Sequence, residues 1–452
     1  MAAEYKDSTS LTVKTENNIN NFFYYGLLAY TVIFFSQIGG RIPILGAVRV
    51  ELLSGSFLLF CIFYKIFNRE FEVETNPVNK AAFFFLSACF ITIPFAYYKS
   101  YSIEIFIRLL KFFAIYIMIV AGIQSEKQLK GFIWIYVLVV AYIFTDAFSY
   151  AIRGMHIRYN SGAMRLFGFG IFAHPNGLGG LIAGSLPFFY YLMKSQRAWL
   201  KKSFLVVLIL IGLRTIMYTN SRTAFVGVVA FGLCLFLFSK KKLRMIAFII
   251  ISGILVWHFA PSETKERFLS LKEANRYVQG TDDGSDAMGN RIQLIKNSFK
   301  IFLRYPITGA GVGNFFTING HENDMWLPAH NQYLQMLSET GIIGSFAFIF
   351  LIVAISRNLN ESFRIIYEKK MEDSFLHYLT ISVSVFLLLR LVIGLFGDEL
   401  YDNCWWIAGG LSLVIVRILS NYDDRISDNS IVCDSKDKQP VAQINTVGNN
   451  NV

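Results

Sequence analysis

The stretch SFLVVLILIGLRTIMYTNSRTAFVGVVAFGLCLFLF, residues 203–238, decides the fold. It holds two apolar runs, 203–218 and 223–238, with Asn220, Ser221 and Arg222 between them. A bilayer core asks for about 20 apolar residues per helix, and a lipid-exposed backbone must satisfy its own hydrogen bonds. Both runs therefore read as membrane-spanning helices. Similar runs recur at 22–38, 44–66, 80–97, 103–122, 130–150, 168–192, 244–260, 331–354, 375–397 and 403–420. The expectation is an all-α polytopic membrane protein with about twelve transmembrane helices.

Composition agrees with that class. Of 452 residues, 54% are apolar and only 16% charged, against roughly 25% charged in an average soluble chain. The net charge of +11 would raise nucleic-acid binding in a soluble protein, but here the cations sit in short connections, where topology signals and anionic-lipid contacts belong. Cys61, Cys89, Cys234, Cys404 and Cys433 show no paired or metal-ligand spacing and read as small core residues. Residues 1–21 are polar and the following run lacks a small-residue cleavage site, so it is expected to be a retained first span.

Lysine and arginine in the short connections set the expected orientation. With both termini cytoplasmic, the inner loops collect Lys65, Arg69 and Lys80, then Lys127 and Lys130, Lys194 to Lys202, Lys240 to Arg244, and Arg357 to Lys370. Residues 1–21 are then a cytoplasmic N-terminus, 22–260 hold nine spans, and 261–330 form one large periplasmic loop with interfacial helices. Three more spans fill 331–420, and 421–452, rich in Asn, Asp and Ser, make a disordered cytoplasmic tail. Within the large loop, Ile292, Leu294, Ile295, Phe299, Phe302 and Leu303 share one face of a helix, with Lys296, Lys300 and Arg304 elsewhere. That pattern suits a helix lying along the interface, or equally one packed on other spans.

The outer connections should be poor in cations, yet 151–165 carries Arg153, Arg158 and Arg165, and Arg222 opens the following outer turn. Guanidinium forks bind phosphate bidentately and keep their charge, so these residues suit an anionic lipid-linked substrate; snorkelling to head groups is the other reading. His330 follows Pro328 at the outer start of a span. An imidazole there titrates near neutrality and accepts a proton from an attacking hydroxyl, or merely lines the helix entrance. Residues 304–315, RYPITGAGVGNF, lack the strand and helix of a nucleotide loop; Gly309, Gly311 and Gly313 read instead as a tight turn with positive φ. A metal set of His321, Glu322, Asp324 and His330 matches no standard ligand spacing, and the acidic turn at Asp282, Asp283 and Asp286 lacks an EF-hand continuation.

Taken in order, RLFGFGIFAHPNGLGG at 165–180, NSRTA at 220–224, GNR at 289–291, YPITGAGVGNF at 305–315, HN at 330–331 and GIIG at 341–344 resemble the O-antigen ligase and polymerase superfamily of bacterial envelope glycosyltransferases. The resemblance implies a twelve-span fold with a large periplasmic loop in the bacterial inner membrane. It also implies transfer of a glycan from undecaprenyl diphosphate to an acceptor hydroxyl. The HN and GIIG spacing leans toward ligases, which use lipid A core as acceptor; a polymerase with the same donor is the alternative. Under this resemblance His330 is the catalytic base or the group that positions the acceptor, Arg222 and Arg291 hold the diphosphate, and no metal or other cofactor is needed for inverting transfer. Arg165, Asn176, Asn331, Arg158 and Arg267 become substrate-binding candidates, with Arg276 sharing the loop. Membrane lipids are the other expected partners, with no nucleic acid. A transporter is the rival from another class, kept open by Arg108, Lys111 and Arg390 inside spans.

Overall fold

The computed structural model describes residues 21–69, 74–160, 163–238 and 285–436, with residues 242, 243, 250, 253, 254 and 265 between them. Among these residues the chain is almost entirely helical, an all-α polytopic membrane fold. It opens with α1 (Asn21–Ser36), two short helices α2 (Ile38–Arg41) and α3 (Pro43–Ala47), and α4 (Val50–Phe67). Next come α5 (Pro77–Thr92), α6 (Lys99–Gly122) and α7 (Glu126–Ile152). A hairpin, β1 (Ile157–Asn160) and β2 (Ala163–Leu166), pairs antiparallel with Arg158 opposite Arg165. It leads to α8 (Pro175–Ser195), α9 (Trp199–Thr219) and α10 (Arg222–Phe238). After the intervening residues follow α11 (Ser285–Arg304), α12 (Phe315–Asn323), α13 (Gln332–Glu368), α14 (Phe375–Ile393) and α15 (Cys404–Lys436).

Seven described helices are long and apolar enough to cross a membrane: α4, α5 with its extension to Phe95, α6, α7, α13, α14 and the first part of α15. α1 and α10 are shorter apolar helices. α8 and α9 fall on the expected spans 168–192 and 203–218, and the expected span 244–260 lies outside the described residues.

Local chemistry explains the helix starts. Asn76, Ser125, Asn331 and Ser374 each accept a backbone N–H from the first turn of the helix they precede, satisfying donors that a helix N-terminus leaves open. Pro77 and Pro175 stand at first helical positions, where no backbone donor is lost. Several expected boundaries move for reasons of this kind. The apolar run counted from 168 becomes helix only at Pro175, because residues 167–174 form a bend and a 3-10 turn around Gly170 at φ 59°. The 331–354 span lengthens to Glu368 and kinks at Gly341, where φ is 61° and ψ −159°. α14 stops at Ile393, short of 397, and α15 runs past 420 to Lys436.

Trp405, Trp406, Tyr136, Phe85, Phe188, Phe348 and Phe386 are fully buried between the helices. Within lipid such burial gains little from water exclusion, and close packing supplies the cohesion. α8 sits between α9, α10 and α14, while α13 packs on α5 and α15. The outer face of α4 exposes Phe57, Phe60, Phe63 and Phe67, as a lipid-facing surface should. Hydrogen bonds between their ends bring the starts of α8, α10 and α13 and the ends of α9 and α14, with the α14–α15 loop, to one end of the bundle.

Candidate active site

That shared end is built on a polar knot. Arg165 on β2 is 3% exposed; its Nε donates to the Thr219 carbonyl at 3.1 Å and its Nη2 to Asn176 Oδ1. Ser221 Oγ donates to the same Asn176 oxygen at 2.9 Å, and Asn220 Nδ2 to the Met164 carbonyl at 2.8 Å. Asn220 ends α9 with φ 48°, a left-handed conformation that asparagine tolerates better than most residues. The hairpin, the start of α8 and the α9–α10 turn are thereby tied together, and Arg222 stands immediately after the tie.

Arg222 is half-buried, and its Nε is sequestered from solvent with no hydrogen-bond acceptor. Arg291, in the second turn of α11, is also half-buried and lies close enough for the two charges to repel. Neither guanidinium has a carboxylate partner among the described residues. Two like charges brought together and partly desolvated are unfavourable by themselves, and an anion with several oxygens relieves both the repulsion and the open donor.

The third element is His330. Three contacts dock the start of α13 on the end of α14: Gln332 N donates to the Gly394 carbonyl at 2.8 Å, Asn331 Nδ2 to the Leu395 carbonyl at 3.1 Å and Tyr333 Oη to the Leu391 carbonyl at 2.7 Å. This docking sets His330 against Asp398 of the α14–α15 loop, Nδ1 to Oδ2 at 3.2 Å. Both side chains stay about a quarter exposed, at 28% and 23%, and His330 holds φ 49°, a strained conformation for a non-glycine residue. With Nδ1–H given to the carboxylate, Nε2 carries the free lone pair. Thr223 Oγ1 donates to the Phe396 carbonyl of the same loop at 3.3 Å, so Arg222 and the His330–Asp398 pair are anchored to one short segment.

Beneath the site, the glycine turn docks on α13. Ala310 N and Gly311 N donate to the carbonyls of Ser338 and Glu339, both at 2.9 Å. The buried Glu339 carboxylate accepts Gly313 N at 2.9 Å and Phe315 N at 3.0 Å. A Cβ on Gly309 would lie 2.3 Å from the Glu339 carbonyl carbon, and one on Gly341 would lie 2.4 Å from the Ile307 carbonyl oxygen. The two glycine motifs thus exist for mutual backbone approach. Asn314 extends the seam, accepting Tyr98 N at 2.8 Å and donating to Ser102 Oγ at 2.6 Å.

The expected residues fall into three groups. His330, Arg222, Arg291, Arg165 and Asn176 lie at the same end of the bundle. Asn331 has its amide engaged as the cap of α13, with Oδ1 accepting Tyr333 N and Leu334 N. Arg158 is exposed on β1, its guanidinium 5.6 Å from the centre of the Phe167 ring. Arg267 and Arg276, like the acidic turn at 282–286, lie outside the residues whose side chains are described. Asp398, Glu339 and His174 were not anticipated; an Asp-Glu pair in a short loop between two spans was the signal available for the first. α11 turns Leu294, Asn297, Ser298 and Ile301 inward and leaves Ile292, Ile295, Phe299 and Leu303 exposed, so both sequence readings of this helix hold in part.

The set His321, Glu322, Asp324 and His330 does not assemble: His330 pairs with Asp398, Glu322 with Arg304, and the His321 ring packs on Trp326. Glu399, Asp402 and Cys404 bring ligand atoms within 4.8 Å of one another, but Glu399 is already neutralised by Arg390 at 3.0 Å. Of the intraspan cations, Arg390 is thus buried in an ion pair, while Arg108 and Lys111 are exposed on the outside of α6.

Fold and site together define a polytopic all-α membrane protein with a cationic, imidazole-bearing site at one end of its helices. Residues 204–349 match the family model described as O-antigen ligase. The match supports the O-antigen ligase superfamily for this chain, and with it a ligase or polymerase type of function in general. The matched segment contains Arg222, Arg291, His330 and both glycine motifs; Arg165, Asn176 and Asp398 lie outside it. No curated protein matches the chain.

Proposed function

We propose that the protein is an O-antigen ligase-like glycosyltransferase that moves a glycan from undecaprenyl diphosphate to a hydroxyl of lipid A core. The observation that carries this reading is the approach of two half-buried arginines without a counter-charge, one of which, Arg222, is anchored through Thr223 to the segment that orients His330. In the proposed step, the acceptor hydroxyl gives its proton to His330 Nε2 as its oxygen attacks the anomeric carbon. The bond from that carbon to the diphosphate oxygen breaks on the opposite face, inverting the centre. The diphosphate leaves with the electron pair, and Arg222 and Arg291 stabilise its growing charge. Fixed cations act most strongly where charge develops in a partly dry site. Asp398 stabilises the imidazolium formed on His330. These residues supply both the base and the positive charge, so the proposed step runs without a metal.

The lysine and arginine bias of the opposite connections supports placing the site at the periplasmic face, with both termini cytoplasmic in a multi-pass inner-membrane protein. On this view residues 261–330 are the periplasmic loop. The test is replacement of His330 and Arg222 singly by Ala, with surface lipopolysaccharide as the readout. Full-length O-antigen at normal expression in both variants refutes the site. A deletion strain separates ligase from polymerase: loss of a ligase leaves bare core and accumulated lipid-linked polymer, and loss of a polymerase leaves core with at most one repeat.

A further inference from the structure

A second imidazole stands at the same end of the bundle as the His330–Asp398 pair, and the mechanism above does not use it. His174 precedes α8 as its cap, with Nδ1 accepting the backbone N–H of Asn176 at 3.2 Å. A nitrogen that accepts a hydrogen bond carries no proton, so in the neutral ring the hydrogen is on Nε2. The segment is held on both sides. Gly168 N donates to the Ala173 carbonyl at 3.0 Å, the Phe167 ring lies edge-on to the imidazole, and the Asn176 side chain is gripped by Arg165 and Ser221. α8 packs on α14, and a Cβ on Gly180 in the second turn of α8 would lie 3.1 Å from Glu399 Oε1, so the start of α8 lies against the α14–α15 loop that carries Asp398. His174, at that start, faces the part of the site that orients His330. Partial enclosure, followed by the positive charge of Arg165, pushes its imidazole below the usual histidine range. With its charged form disfavoured, it serves as a neutral Nε2–H donor.

We propose that His174 is the acceptor-recognition residue: its Nε2–H donates to an oxygen of the acceptor sugar adjoining the hydroxyl that His330 deprotonates. The site then selects acceptors bearing a second oxygen beside the reacting one. This inference rests on the glycosyl-transfer reading.

The test separates recognition from helix capping. Asn at 174 keeps a good cap but is too short to present a donor where Nε2 sits; Gln is a poorer cap but reaches that position with an amide N–H. Purified full-length protein is assayed with lipid-linked O-antigen as donor and core lipopolysaccharide from a ligase-deletion strain as acceptor. Loss of one hydrogen bond predicts an acceptor KM raised about tenfold in His174→Asn, with donor KM unchanged and substantial recovery in His174→Gln. Wild-type behaviour of His174→Asn with a defective His174→Gln overturns the inference, as does a change confined to donor KM. Absence of transfer by the wild type, or full activity of Arg222→Ala, overturns the parent reading itself.

Discussion

Replacing Asp398 by Asn removes one negative charge while nearly preserving shape. The carboxylate lies 3.2 Å from His330 Nδ1, and in the proposed step its charge matters most once Nε2 has taken the proton. Two unit charges 4 Å apart interact by about 1 kcal/mol in bulk water and about 4 kcal/mol near a protein surface. Because both side chains are about a quarter exposed, at 28% and 23%, the differential effect should fall near 2 kcal/mol, or roughly 30-fold in kcat. The remaining amide oxygen still orients Nδ1–H, so the loss should be smaller than that of His330→Ala. The assay is single-turnover glycan transfer by purified protein in nanodiscs, with thermal unfolding recorded for each variant. An unchanged kcat in Asp398→Asn refutes the part given to this carboxylate; a loss confined to acceptor or donor KM shows that it acts in binding instead.

Four further outcomes follow from the same geometry. Arg222→Ala and Arg291→Ala should each lower transfer by about 100-fold or more without lowering the unfolding temperature, since each removes a repulsive partner; Arg222→Lys should recover little, because an ammonium cannot form the fork. Gly309→Ala places a Cβ 2.3 Å from backbone at φ +70° and should destabilise the fold by about 2 kcal/mol or more, read by thermal unfolding in detergent. Glu339→Gln turns an amide hydrogen toward one of two backbone donors and should destabilise by about 1–3 kcal/mol, in the same assay. Arg390→Met leaves Glu399 buried and uncompensated, at a loss of about 3–5 kcal/mol, which the double variant Arg390→Met, Glu399→Gln should largely recover.

Much of this architecture is legible from residue order because its causes are local. Apolar runs, the caps at Asn76, Ser125 and Asn331, and the left-handed glycines all reflect interactions within a few residues. Hydropathy overran the start of α8, since Phe169, Ile171 and Phe172 count as apolar although the chain turns there before Pro175 fixes the helix. Arg222 and His330 stood out, the one as a cation where the expected topology has few, the other as an imidazole at the outer start of a span; Arg291 stood out only through the resemblance of its GNR motif. Their partners did not. Asp398 reaches His330 only because the ends of α13 and α14 dock, and Glu339 looks like any acidic residue in a helix until the glycine turn delivers two backbone donors to it. Asn331 shows the converse: a motif residue whose position beside His330 suggested substrate contact has its amide spent on starting a helix.

The claim that two separated arginines form one diphosphate site is tested most directly by the affinity of the protein in nanodiscs for undecaprenyl diphosphate, measured by native mass spectrometry. The account predicts binding by the wild type and by His330→Ala, and affinity at least about tenfold weaker once Arg222 and Arg291 are both replaced by Ala. Equal affinity in the wild type and the double variant would contradict it.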